Sequence, residues 1–202
     1  MKLYERSRLQ LISEWIEKYD IKSVLDLGSR GILKKIIDVD SYDSIDVKGT
    51  PDIVLDLNEA QKLPFPPDSY DCVVLSQILE HLFYPQKILK ESIRVSRKFI
   101  IIGLPHDFSL DLRMKALLGR NWRPIYRPYE HKGLLHRNEY KKFIKPEENG
   151  LTEIEKHYLF GLRGDRFLPK WLKGGLAKWN LFCRNFYIIY QKTKSIKKEW
   201  NT

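Results

Sequence analysis

Apolar positions recur along this chain in two rhythms. Over residues 3–19, Leu9, Ile12, Ile16 and Tyr19 fall three and four apart with Glu and Lys between them, which predicts an amphipathic helix. Residues 23–28 form a short apolar run halted by glycine, the pattern of a buried strand, and residues 32–37 suit a short helix after it. Residues 44–47 and 52–57 predict two more strands. Residues 62–68 form a loop, because three prolines in four positions prevent regular pairing. A fourth strand follows over 70–76, with Cys72 to Leu75 as its apolar heart. Residues 84–95 read as a helix with Pro85 in its first turn. Residues 99–103 are a fifth buried strand. Farther on, 137–149 predicts a helix, 152–160 and 186–190 predict strands, and 194–202 is a polar tail.

Near-continuous apolar strands suit a parallel sheet covered on both faces. Alternating with helices, they predict an α/β fold: a doubly wound, mostly parallel seven-stranded sheet with helices on both faces. One domain is expected over 1–202, with a first half at 1–105, a second at 106–193 and the tail at 194–202. In such sheets a ligand lies beyond the carboxyl ends of the strands, so the polar residues just past each strand are the ones to question.

A chain of 202 residues buries a sizeable core without staples. Its 43% apolar and 31% charged residues exclude wholesale disorder. Cys72 and Cys183 each sit in an apolar run and read as buried thiols of a reducing compartment, not as a disulfide framework. No window approaches the roughly 20 apolar residues of a bilayer span, and residues 1–6 lack the apolar region of a signal peptide. A cytoplasmic protein is expected, and no metal site. The net charge of +10 is unevenly placed: residues 1–105 hold 15 Lys/Arg against 16 Asp/Glu, and residues 106–202 hold 21 against 10. Four of the five tryptophans lie in that basic half as well. The split points to a near-neutral scaffold followed by a portion that faces something acidic.

The chemistry starts at the strand ends. Asp26-Leu27-Gly28-Ser29-Arg30-Gly31 follows the first strand, where glycines let the backbone turn sharply and approach a ligand. Asp46 lies near the end of the second strand, where a carboxylate can accept hydrogen bonds from both ribose hydroxyls of a nucleoside. Asp56-Leu57-Asn58 closes the third. With the stretch Leu63-Pro64-Phe65-Pro66-Pro67-Asp68-Ser69-Tyr70-Asp71 and the later Leu79-Glu80-His81-Leu82, this chain resembles the class I S-adenosylmethionine-dependent methyltransferases of the type 11-like group. The resemblance covers about residues 22–105.

That resemblance implies a Rossmann-like methyltransferase fold, S-adenosylmethionine as cofactor, and roles for particular residues. Asp26, Gly28 and Ser29 match the loop around the cofactor's methionine part, with Gly31 one residue beyond the usual second glycine, whose place Arg30 holds. Asp46 matches the ribose-binding acid. Asp56 and Leu57 match the segment beside the adenine. Ser76 and Gln77 match the positions next to the methyl-bearing sulfur. An oxygen nucleophile needs its proton removed as the bond forms, and His81, His106 and His131 are the candidate bases, with Asp107 and His136 nearby in sequence.

The basic half is the clue to the acceptor. Arg113, Arg120, Arg123 and Arg127 suit phosphate or carboxylate groups. Residues 166–179 mix cations with Trp and Leu, as a segment lying on an anionic membrane surface does, or as core packing rimmed by lysines. A small-molecule, glycan or lipid-linked acidic acceptor fits, with peripheral contact at the inner membrane surface. The rival readings are a nucleic-acid methyltransferase and a catalytically inactive, methyltransferase-like adaptor.

Overall fold

In the computed structural model, residues 3–29, 31–105, 117–118, 140–160 and 183–193 are described. The first helix, α1, spans Leu3–Lys18. The strands are β1 (Ser23–Leu27), β2 (Ser41–Asp46), β3 (Ile53–Val54), β4 (Tyr70–Ser76), β5 (Ser96–Pro105), β6 (Leu151–Phe160) and β7 (Cys183–Lys192). Helix α2, Pro85–Val95, precedes β5, and α3, Tyr140–Ile144, precedes β6. The seven strands form one sheet in the order β3-β2-β1-β4-β5-β7-β6. The first five run parallel, and β7 enters antiparallel between β5 and β6.

Side chains alternate across the sheet with the period of two that a pleated strand imposes. Val24, Cys72, Val74, Ile101, Tyr187 and Ile189 face one side, where Leu9, Ile12, Trp15 and Ile16 of α1 cover them. Leu25, Val73, Leu75, Ile100, Ile102 and Ile188 face the other, under Ile88 and Leu89 of α2 and Tyr140 and Ile144 of α3. Both faces are therefore closed, which is why β4 reads as an unbroken apolar run. Cys72 is a buried free thiol whose ionisation burial pushes well up.

The expected elements stand with changed boundaries. β2 begins at Ser41 and ends before Val47. β3 shrinks to two residues because the chain turns after it: Asp56 Oδ1 accepts from Asn58 N at 2.8 Å, and the Asp56 carbonyl accepts from the Ala60 N–H at 2.9 Å. The helix expected at 32–37 is a single 3₁₀ turn, Leu33–Lys35. The helix expected over 137–149 is described only at Tyr140–Ile144; Pro146 excludes α geometry at Lys145, which takes φ +47° instead. The Arg30 side chain, the side chain of Cys183, the basic segments at 106–135 (apart from 117–118) and 165–180, and the tail lie outside the described residues.

Three long-range devices lock the layers. Glu155 on β6 accepts from Trp15 Nε1 at 3.0 Å and from Lys18 and Tyr19 at the end of α1. Those hydrogen bonds hold its carboxyl down at about 2. Arg94 of α2 donates to the carbonyls of Phe65 at 2.8 Å and Leu63 at 3.2 Å while paired with Glu91, pinning the proline-rich loop. Gly103 on β5 faces Tyr187 on β7, and a Cβ there would overlap the tyrosine ring.

Candidate active site

The carboxyl ends of β1, β2, β3 and β4 open into a cleft of about 620 Å³. Asp26, Gly28, Ser29, Asp46, Asp56, Leu57, Ser76, Gln77 and His81 all line it. These residues come from four different strand ends, and the parallel order β3-β2-β1-β4 sets them along one edge. The cleft has a direction: Asp56 and Asp46 mark its β3–β2 end, and Asp26 and Ser76 its β1–β4 end. Gly31 stands outside the lining; its N–H donates to Ser29 Oγ at 3.2 Å and its φ of +73° shapes the loop. His106 and His131 lie outside the described residues, as do Asp107 and His136.

Gly28 is where the backbone must be bare. Its φ is +72°, its N–H donates to the Ile45 carbonyl at 2.8 Å, and a Cβ would lie 2.6 Å from two side-chain carbons of Ile78. Gln77 ends β4 in the left-handed region too, at φ +59°, with its N–H on the Gly103 carbonyl at 3.0 Å. Such a conformation is costly for a residue with a side chain, and it concentrates at functional sites. The Gln77 Nε2 is buried without a partner among the described residues.

Asp26 is 3% exposed and accepts from the Tyr42 hydroxyl at 2.8 Å. Burial pushes its carboxyl up to about 6, while hydrogen bonds from Ser29 and Tyr42 and the charge of Arg8 pull the other way. Asp46 Oδ1 accepts the Lys48 N–H at 3.0 Å, which holds the carboxylate at the cleft wall. Asn58 Oδ1 accepts the Phe83 N–H at 2.9 Å, tying the two loops that flank the β3 side. Ser76 Oγ lies 3.0 Å from the Tyr187 hydroxyl.

Sequence reasoning missed five contributors from three places in the chain. Arg8, Leu9 and Ile12 of α1 line the cleft. Tyr42 holds Asp26, and Tyr187 reaches the β4 end from 111 residues away. The signal for Arg8 was in the sequence, because it shares a helix face with Ile12, Trp15 and Tyr19 and puts a cation on the apolar stripe. Tyr187 gave no such signal.

The comparisons bear on the fold that builds this cleft. A family model described as "Methyltransferase domain" matches residues 33–99, a third of the chain. The fold is that of the class I methyltransferases. A SAM-dependent methyltransferase from Archaeoglobus fulgidus superposes with a TM-score of 0.57 at 20% identity, over 91% of this chain and 94% of that one. The methyltransferase domain of the bacterial protein CtHen1-C gives 0.64 at 14% identity, over 95% and 100%. The cyclase SpnF gives 0.58 at 11% identity, over 93% and 82%. No curated protein matches the sequence significantly. The chain thus has the fold of these structures and is similar in sequence to the methyltransferase family model over 33–99, a segment that holds Asp46, Asp56, Leu57, Ser76, Gln77 and His81.

Proposed function

We propose that this protein is an S-adenosylmethionine-dependent methyltransferase whose acceptor is a small molecule, glycan or lipid-linked group bearing acid functions, methylated at oxygen. One observation carries the cofactor reading: residues from four separate strand ends meet in a single cleft, with a carboxylate at its ribose end and bare backbone at Gly28. The cleft suits the group in size and in donor set. Buried amide and guanidinium nitrogens without partners among the described residues, on Gln77 and Arg8, belong to its lining.

In this reading Asp46 accepts from the ribose hydroxyls, and Asp56 and Leu57 border the base. Gly28 and Ser29 let the chain pass close to the amino-acid part. The cofactor supplies a methyl group on a leaving group that is already activated, so the protein's task is to align the nucleophile and exclude water. His81 stands in the cleft wall near Ser76 and Gln77, where a base would take the acceptor's proton. The acidic acceptor is inferred from the excess of Lys/Arg in residues 106–202.

Calorimetric titration with S-adenosylhomocysteine tests the proposal. Micromolar binding is expected, weakened at least tenfold in Asp46→Ala; in a separate assay, S-adenosylmethionine supplied with an acidic acceptor should be converted to S-adenosylhomocysteine as the acceptor takes the methyl group. An absence of binding would overturn it. A second reading is favoured by the cyclase SpnF, which has this fold: the cleft holds the nucleoside while the chain serves another reaction. Binding without methyl transfer to any of a panel of acidic acceptors would favour that reading.

A further inference from the structure

A hydrogen-bonded chain of side chains ends at the β4 edge of the cleft, and chemistry fixes its direction. Val74 and Tyr187 face the α1 side of the sheet, and the alternation of β4 puts Ser76 on that side too. The Tyr187 ring packs over the bare Gly103, and its hydroxyl lies 3.0 Å from Ser76 Oγ. The Arg8 guanidinium also meets that hydroxyl, through its charge and a hydrogen bond. A guanidinium has donors only, so Arg8 donates to the Tyr187 oxygen. Tyr187 is 0% exposed, and its one proton needs an acceptor. Among the described residues, Ser76 Oγ is the oxygen that takes it. Ser76 has no other hydrogen bond among the described residues and lines the cleft, so its own proton is left for a ligand.

A second donor stands beside it. Gln77 Nε2 is shut off from solvent and has no partner among the described residues. An unmet buried donor is costly. The Gly103 carbonyl holds the Gln77 N–H at 3.0 Å, and this fixes the residue at the cleft wall. Two adjacent residues thus offer donors at one end of the cleft. The carboxylates nearest this end are Asp26, whose Oδ2 accepts from Tyr42, and Glu80, whose charge reaches Tyr187 from outside the cleft lining.

We propose that Ser76 and Gln77 present paired donors that select an oxygen nucleophile over an amine, with Tyr187 as the positioning residue that fixes the sense of Ser76. This rests on the cofactor reading of the cleft, which sets the β4 end beside the reacting sulfur. A neutral amine has one lone pair, and a donor that binds it takes the pair that must attack. An alcohol, phenol or carboxylate oxygen has at least two, so it can accept from Ser76 or Gln77 and keep a pair for the methyl carbon. A protonated amine has none and meets both donors with N–H groups of its own.

The test is calorimetry without acceptor on wild type, Ser76→Ala, Ser76→Thr and Tyr187→Phe. The probes are S-adenosylhomocysteine and sinefungin, which carries an ammonium on carbon in place of the sulfur and its methyl group. Sinefungin therefore sets N–H donors where the nucleophile would stand. Wild type should bind it at least about tenfold more weakly than S-adenosylhomocysteine, the worth of an opposed pair of donors. Asp26 and Glu80 are present in every variant, so the change in this ratio reports the donors. Ser76→Ala should bring the two probes within about threefold of each other. Ser76→Thr keeps the hydroxyl and should keep the wild-type ratio. Tyr187→Phe keeps the ring over Gly103 but releases the Ser76 proton, and should shift the ratio in the same direction by a smaller factor. Thermal unfolding shows which variants are folded. Sinefungin binding as tightly as S-adenosylhomocysteine in wild type, or a ratio unmoved in Ser76→Ala, overturns the donor assignment alone. A ratio unmoved in Tyr187→Phe overturns the positioning role. A wild type that binds neither probe overturns the cofactor reading as well.

Discussion

Replacing Gly28 with alanine tests the site where the backbone conformation and the cleft wall meet. A side chain at φ +72° brings Cβ against the following carbonyl, a penalty of about 1–2 kcal/mol. The new Cβ would also lie 2.6 Å from Cδ1 and Cγ1 of Ile78 and 2.8 Å from its Cβ. Rotating Ile78 moves the first two atoms away but not the third, so the backbone must shift as well. Overpacking of this kind adds about 1–3 kcal/mol. The sum lowers the melting temperature by roughly 5–15 °C in a chain of this size. Ile78 lines the cleft, so its displacement should also weaken S-adenosylhomocysteine binding.

The two contributions separate in a double-mutant cycle. Ile78→Ala removes Cγ1 and Cδ1 while leaving Cβ, so Gly28→Ala should cost about 1–2 kcal/mol less in that background by urea denaturation. The left-handed penalty should persist in both. An identical cost in the two backgrounds would show that Ile78 does not crowd this position and that the cleft wall is built differently.

Two further outcomes follow from charged groups. Asp26 has its folded carboxyl raised to about 6, so its ionisation opposes folding as pH rises from about 4 through 6. Asp26→Asn should therefore remove the part of the stability loss that wild type shows between pH 4 and 6 in urea denaturation, and an unchanged profile would refute Asp26 as its source. Glu155 has its folded carboxyl lowered to about 2, so its contribution to stability is complete above its ordinary value near 4.5 and is lost as pH falls from there through 2. Glu155→Gln should lower the urea midpoint at pH 6, and its gap from wild type should close by pH 2; a gap that stays constant with pH would refute the charge as its source.

The sheet was legible in the chain because its centre is buried on both faces. β1, β4 and β5 show as apolar runs, and the polar residues just past them lead to Asp26, Ser76 and Gln77. Edge elements were less legible. β3 has one edge unpaired, and Val54 is 76% exposed, so its apolar residues overstate its length. Trp15 is among the largest wholly buried side chains, yet the stripe drawn through Leu9, Ile12, Ile16 and Tyr19 passed it by. Tyr42, Glu155 and Tyr187 act through partners 16, 140 and 111 residues away. No local spacing encodes such contacts.

The last of these contacts shows how the far end of the sequence shapes the cleft. Phe186 to Tyr190 are all fully buried, and opposite them Ile100, Ile101 and Ile102 of β5 are fully buried as well. Gly103 lacks the side chain that would exclude the Tyr187 ring, so the ring packs across the strand pair and its hydroxyl reaches Ser76 Oγ. The carbonyl of the same glycine accepts the Gln77 N–H at the point where β4 turns into the left-handed region. Three segments distant in sequence thus fix the pair Ser76 and Gln77, and two of them, at 103 and 187, lie beyond the segment that matches the family. A change at Gly103 or Tyr187 acts on the cleft by moving the end of β4, without any contact to a ligand of its own.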